Sequence, residues 1–210
     1  MNACSISIGM RGIVECEDVE SLLSEYCDVL TNLPGRTTQI ECTITLTTDK
    51  PVVTKPYSVP PAVKQTIKEE INKMLDLGVI EPSTSQYASP VVLIQKPDGS
   101  NRFCVDYRHL NDVTLFDPEP IPNCEDLFSR VAHAKLFSKL DMSKGYWQIP
   151  VAEKDKGKTA FVTSEGHYQF LVMPFGLVNA PAIFSRLMRN LLTIPNVLNY
   201  IDDILVYSET

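Results

Sequence analysis

Val197-Leu198-Asn199-Tyr200-Ile201-Asp202-Asp203-Ile204-Leu205-Val206-Tyr207 is an apolar run broken in its middle by two adjacent carboxylates. The flanking residues are Val, Leu, Ile and Tyr, which favour strands, so the stretch reads as two short strands with Asp202 and Asp203 at the tight turn between them. Such a turn projects both carboxylates from the end of a sheet. Neighbouring acids repel, and each resists ionising beside the other, so a fold that holds them together stabilises them with cations, hydrogen bonds or exposure. Divalent metal is the functional version of that arrangement; a plain Asp-Asp surface turn is the other.

A third acid shifts the balance between the two. Leu136-Phe137-Ser138-Lys139-Leu140-Asp141 reads as a strand that ends in a carboxylate, followed by Met142-Ser143-Lys144-Gly145-Tyr146-Trp147. Three acids at strand ends make a candidate metal cluster. Magnesium prefers oxygen ligands and keeps substrate phosphates and waters in its remaining positions, so two or three carboxylates suit a phosphate-processing site. Two such ions held a few ångströms apart can activate a 3′-hydroxyl and stabilise a departing pyrophosphate.

Working outward, Pro51, Pro56, Pro60 and Pro61 keep the chain extended until Pro61 opens a helix, with Val63, Ile67, Ile71, Met74 and Leu75 on one face and Gly78 at its end. Val91 to Ile94 and Arg102 to Tyr107 read as strands joined by a bend at Asp98-Gly99. A short helix is expected over residues 123–131, a hairpin over 161–172 turning near Glu165-Gly166, and a strong amphipathic helix from Ala180 to Leu192. Residues 1–50 form a weakly periodic acidic lead-in, with an amphipathic stretch around Val19 to Tyr26 and alternation at Ile40, Cys42, Ile44 and Leu46. Strands and helices interleaved in this way predict an α+β architecture.

The 210 residues, 44% hydrophobic and 21% charged, are enough to bury a substantial core, as one compact unit or two interleaved lobes. No apolar run has the length of a membrane span and the first residues lack a basic-then-apolar leader, so the expectation is an intracellular protein, cytoplasmic or particle-associated. The six cysteines include no C-x-x-C pair, and the three histidines are far apart, so neither a zinc site nor a disulfide framework is indicated. A net charge of −7 argues against nucleic acid, but eight acids and three basic residues fall in residues 1–50, leaving eighteen acids against sixteen basic residues in the remainder.

With these motifs in order, the chain resembles gypsy-type long-terminal-repeat retrotransposon reverse transcriptases. The residues that carry the resemblance are Leu140 to Ile149, Met173-Pro174-Phe175-Gly176-Leu177-Val178-Asn179-Ala180-Pro181-Ala182-Ile183-Phe184, and Tyr200 to Tyr207. Upstream, Lys55-Pro56-Tyr57, Leu77 to Ser83, Ser89 to Val92 and Arg102 to Asn111 continue it, so that it covers roughly residues 25–210. It implies right-hand polymerase fingers and a partial palm, the antiparallel palm sheet packed on helices. By that resemblance residues 51–115 and 149–179 are fingers, and residues 116–148 and 180–210 are palm.

The activity implied is RNA-directed DNA polymerisation from a primer 3′-end. Asp141, Asp202 and Asp203 match the catalytic aspartates, with Asp141 and Asp202 as principal ligands of two magnesium ions, or manganese in their place. Asp203 is required with less constant metal contact, and the backbone carbonyl of Met142 contributes to the nucleotide-side ion. Tyr146 matches the aromatic residue that rejects a ribose 2′-hydroxyl; a core aromatic is its other reading. Lys96 and Arg102 match residues that neutralise the incoming triphosphate, and Phe175 stands beside the nucleotide or packs.

Arg108 and Asn111 support the fingers, contact template, or, for Arg108, pair with Asp106 or Asp112. Lys154, Lys156 and Lys158 read as a solvated charge run. The implied partners are an RNA or DNA template, a DNA primer and deoxynucleoside triphosphates. Thumb, connection and RNase H regions are expected to lie past Thr210, which predicts an exposed palm edge and doubtful activity for this chain alone. The alternative reading is a catalytically idle transposon relic that keeps the fold and nucleic-acid binding; an RNA-dependent RNA polymerase is disfavoured by Tyr146.

Overall fold

The computed structural model describes residues 6–8, 17–28, 33–95, 101–120 and 123–209. Contacts divide the chain into two compact units, each assembled from separated stretches: residues 1–40, 117–148 and 181–210 in one, residues 41–116 and 149–180 in the other.

The first unit is built on a four-stranded antiparallel sheet. Its strands are β1 (Ile6–Ile8), β5 (Leu136–Met142), β8 (Val197–Tyr200) and β9 (Asp203–Ser208), in the order β1-β5-β9-β8. Helix α1 (Glu17–Glu25) covers the amphipathic stretch of the lead-in. Helix α4 (Cys124–Val131) starts as expected, because the Asn123 side chain accepts a hydrogen bond from the Glu125 N–H, 3.1 Å long, and caps the first turn. Helix α5 (Ala180–Leu191) buries Ile183, Phe184, Leu187 and Met188. Its opposite face carries Arg186 and Arg189. The Arg186 guanidinium forks onto the Asp117 carboxylate at 2.8 and 2.9 Å and onto Glu119 at 3.0 Å, while Arg189 also pairs with Glu119. Those pairs hold the proline-rich residues 117–120, which have no ladder of their own, against the helix. At the sheet's borders, β1 covers the outer side of β5, and β8 lies at the other edge with β9 as its partner among the described residues.

The second unit is a mixed sheet of β2 (Ile80–Pro82), β3 (Ser89–Gln95), β4 (Asn101–Val105), β6 (Phe161–Thr163) and β7 (Gly166–Phe170), ordered β2-β7-β6-β3-β4. The two expected hairpins form, β3 with β4 and β6 with β7, and β3 runs parallel to β6. The bend at Asp98-Gly99 lies outside the described residues. Helix α2 (Pro61–Asp76) buries Ile67, Ile71 and Met74 and stops at Gly78, whose φ of +62° lets the Val79 N–H return to the Met74 carbonyl at 3.0 Å. A short helix α3 (Arg108–Asp112) follows β4. The alternation over Ile40 to Leu46 yields two isolated bridges, Cys42 with Val151 and Leu46 with Thr114, instead of a continuous strand.

Of the lysine run, Lys154 is exposed as expected, while Lys156 and Lys158 are corrected by the structure. A 3-10 segment, Glu153–Thr159, buries Asp155 to 2% exposure. The Ile44 N–H and Lys158 ammonium donate to its carboxylate at 3.0 and 2.6 Å, and Lys158 donates again to the Ile44 carbonyl at 2.6 Å. Lys158 is therefore a half-buried staple, and Lys156, paired to Glu153, is also largely covered. Each lysine pairs with an acid three residues before it, and the further bond of Lys158 to the distant Ile44 carbonyl is what no charge count reveals.

Beside that staple lies Cys42, fully buried, whose thiol is pushed up to about 12 by burial and by the Asp155 charge. Burial holds this acid neutral, so its thiolate is scarce until the pH approaches that value. Mass-spectrometric mapping of iodoacetamide adducts at pH 8 is expected to find the exposed Cys27 labelled and Cys42 unlabelled until urea unfolds the chain.

Candidate active site

The paired strands of the first unit bring the three acids to one end of its sheet. In the β5–β9 ladder Asp141 stands directly opposite Asp203, and in the β8–β9 hairpin Tyr200 stands opposite Asp203. Ile201 and Asp202 are thus the two-residue loop; the sequence reading put both aspartates at the turn, and the observed register moves it one residue back, so that Asp203 opens β9. Ile201 has φ +54°, a left-handed conformation that a β-branched residue adopts at a cost of order 1–3 kcal/mol, which sits in the loop that aims Asp202. Asp141 and Asp202 are exposed and Asp203 is half-buried.

Two carboxylates directly opposite across a ladder repel, since such pairs have Cβ atoms only about 4.5–5.5 Å apart. The structure answers with Lys139. It lies on the same face of β5 as Asp141, two residues earlier and diagonal to Asp203, and its Nζ sits 2.9 Å from Asp203 Oδ1. The hydrogen bond and charge of Asp203, followed by the charges of Asp141 and Asp202, hold the Lys139 ammonium above its ordinary range. One cation therefore feels all three acids. Lys139 also lines a cavity of about 300 Å³ between α4 and the hairpin, with Leu127, Phe128 and Val131 of α4 among the walls. Sequence reasoning passed over Lys139, although a lysine on the same strand face as Asp141 was readable from the period of two.

After β5 the chain turns through Lys144, at φ +50°, into a 3-10 turn over Gly145–Gln148. Gly145 lies so close to the Phe184 ring that a Cβ there would fall 2.9 Å from its Cζ. That approach lets Tyr146 lie against the same ring, with centroids 5.2 Å apart. Burial and then the charge of Asp202 push the Tyr146 phenol up to about 12, so this aromatic side chain is within electrostatic reach of the acids. Met142 ends β5 half-buried and pairs in register with Ile6.

In the second unit, the Arg102 guanidinium lies over the Phe175 ring, 5.5 Å from its centroid, which joins two of the residues singled out in the sequence. Lys96 lies outside the described residues. Arg108 resolves as the internal pair, gripping Asp106 with Nε and Nη2 at 2.9 and 2.6 Å while the Tyr57 hydroxyl donates to the same carboxylate at 2.8 Å. These hydrogen bonds, that of Arg108 foremost, hold the Asp106 carboxyl well below the usual range. Asn111 is a clamp: its side chain donates to the Gly176 carbonyl and accepts from the Val178 N–H, both at 2.9 Å, and so fixes the loop after Phe175.

Among the described residues, no three acidic, histidine or cysteine side chains converge into a ready-made metal cage. The donor set nevertheless suits a hard divalent ion. It is all oxygen and includes exposed carboxylates, magnesium needs only one or two of these besides phosphate and water, and an ammonium already stands among them as a cation.

The chain belongs to the reverse transcriptase family: the family model described as reverse transcriptase (RNA-dependent DNA polymerase) matches residues 94–210, more than half of the sequence. Among its relatives are retrotransposon Pol polyproteins of the gypsy type. It is 39% identical over 204 residues to the Pol polyprotein from transposon opus of Drosophila melanogaster, covering 92% of this chain and 20% of that protein. To the corresponding polyprotein from transposon 297 of the same organism it is 38% identical over 180 residues, 82% of this chain and 17% of the relative. An enzymatic polyprotein of cauliflower mosaic virus is 33% identical over 200 residues, covering 91% and 30%.

Among solved structures, the foamy viral protease-reverse transcriptase in complex with RNA/DNA hybrid matches with a TM-score of 0.82 and 27% identity, over 92% of this chain and 27% of that one. The fold is accordingly α+β, that of polymerase fingers and palm. The chain spans about a fifth to a third of the length of the curated relatives it matches. Reverse transcriptases as a family work with divalent metal ions.

The close contact at Gly145 gives a direct test of how the turn is built. Gly145→Ala forces a methyl against the fully buried Phe184 ring, an overpacking that costs about 1–3 kcal/mol in urea unfolding. In a Phe184→Leu background the added cost of the alanine is expected to fall below about half of that, because the ring that resists it is gone.

Proposed function

We propose that this chain is the polymerising part of a retrotransposon reverse transcriptase, adding deoxynucleotides to a primer 3′-end on an RNA or DNA template. The observation that carries the reading is the antiparallel placement of Asp141 against Asp203 with Asp202 in the connecting turn, in a chain of this family. Related foamy virus structures are complexes with RNA/DNA hybrid and with double-stranded DNA, which supports template and primer as partners. On this reading residues 116–148 and 180–210 are palm and residues 51–115 and 149–179 are fingers; the division into compact units of residues 1–40, 117–148 and 181–210 and of residues 41–116 and 149–180 falls at nearly the same boundaries and supports it. An intracellular setting, cytoplasmic or particle-associated, suits that role.

Asp141 and Asp202 are the carboxylates that would hold two magnesium ions, with the Met142 carbonyl on the nucleotide side; manganese fits the same donors. Magnesium bound there supplies Lewis-acid stabilisation of the phosphates and lowers the pKa of the attacking hydroxyl. The chain's own residues do the remaining work. Tyr146, its ring fixed by Phe184, blocks the space a ribose 2′-hydroxyl needs and so selects deoxynucleotides. Arg102, its guanidinium braced on Phe175, neutralises the incoming triphosphate together with Lys96. Phe175 is in turn kept in place by Asn111, which pins the following loop.

Primer extension on an RNA template tests this reading. Whatever extension the chain supports is expected to require magnesium, and Asp202→Asn to lower its rate at least about 100-fold. Equal extension by the two proteins contradicts it and returns the relic as the better account.

A further inference from the structure

The acidic end of the sheet contains a cation that the polymerase chemistry does not call for. Lys139 is the middle residue of β5, exposed at 58%, and its ammonium is fixed on Asp203 at 2.9 Å in place of reaching for solvent. The position is set by register. Lys139 faces Leu205 and Asp141 faces Asp203, so the lysine is diagonal to Asp203 and two residues from Asp141 on one face of the ladder. Asp141 and Asp202, both exposed, are given no comparable partner by an ion pair among the described residues.

We propose that Lys139 is the resident counter-cation of this cluster, a positioning residue that holds Asp203 and competes with divalent metal for it. The inference rests on the reading of Asp141, Asp202 and Asp203 as a metal site. Three like charges crowded at one sheet end destabilise the fold unless a positive charge offsets them, and without metal the ammonium is the nearest one. The pair also sorts the acids, leaving Asp141 and Asp202 open to the ion while Asp203 is engaged. Lysine suits a placeholder, being a compact charge on a flexible stem that can release its partner, and here its side chain also lines the cavity walled by α4.

Neutralising the lysine removes the competitor and raises the net negative charge seen by an incoming ion. Lys139→Met is therefore expected to bind manganese about three- to tenfold more tightly than wild type. Its metal-free form should melt at lower temperature, and saturating manganese should raise that melting temperature by more than it raises the wild type's. Lys139→Arg, which keeps the charge, should stay within about twofold of wild type.

The measurement is titration of the 210-residue chain with manganese chloride, free manganese being read by electron paramagnetic resonance, for wild type, Lys139→Met, Lys139→Arg and Asp141→Asn. Lys139→Gln serves if circular dichroism shows the methionine variant unfolded. Tighter binding by the neutral variant with wild-type-like binding by the arginine variant supports the proposal. Unchanged or weaker binding by the neutral variant overturns it while the metal site stands, provided Asp141→Asn loses affinity. If Asp141→Asn binds as wild type does, or wild type binds no manganese, the site reading itself fails and the proposal with it.

Discussion

Asp141 and Asp203 face each other across an antiparallel ladder, and much else in the first unit follows from keeping two like charges there. The β5–β9 pairing fixes their approach, the Ile201-Asp202 loop adds a third acid at the same end, and Lys139 supplies the opposing charge. An arrangement optimised for stability alone would not place acids opposite one another or put isoleucine at φ +54°. Local rules broken together, at a single sheet end, mark a site whose geometry serves something other than folding.

The supporting structure is arranged to hold that end still. Helix α5 packs Phe184 beneath the turn that follows β5, where Gly145 admits the ring and Tyr146 rests on it. The helix's other face uses Arg186 and Arg189 to fasten residues 117–120 through Asp117 and Glu119. In the second unit, Asn111 fixes the loop that presents Phe175, and Asp155 with Lys158 anchors the backbone at Ile44. Side chains that would do chemistry are thus backed by residues whose own positions are settled by packing or by paired hydrogen bonds.

What the sequence made legible follows from period and punctuation. The hairpin that carries Asp202 (its turn to within one residue), the helix opened by Pro61 and closed near Gly78, the short helix after Asn123 and the hairpin turning at Glu165-Gly166 were readable because each depends on neighbours in the chain. The face of β5 was also readable, yet Lys139 went unremarked: a lone lysine in an apolar strand has no meaning until the register of β9 is known. The inward turn of Lys158 and the clamp made by Asn111 depend on partners 114 and 65 residues away, which no local pattern encodes. The parallel pairing of β3 with β6 was hidden for the same reason.

The central claim is that Asp141 and Asp202 are the primary donors to a divalent ion while Asp203 belongs first to Lys139. Crystals of the chain grown with manganese, with diffraction recorded near the manganese absorption edge, test it most directly. The account predicts an anomalous peak in contact with the carboxylates of Asp141 and Asp202. A peak held by Asp203 with Asp202 turned away, or bound manganese with no peak at this end of the sheet, would contradict it.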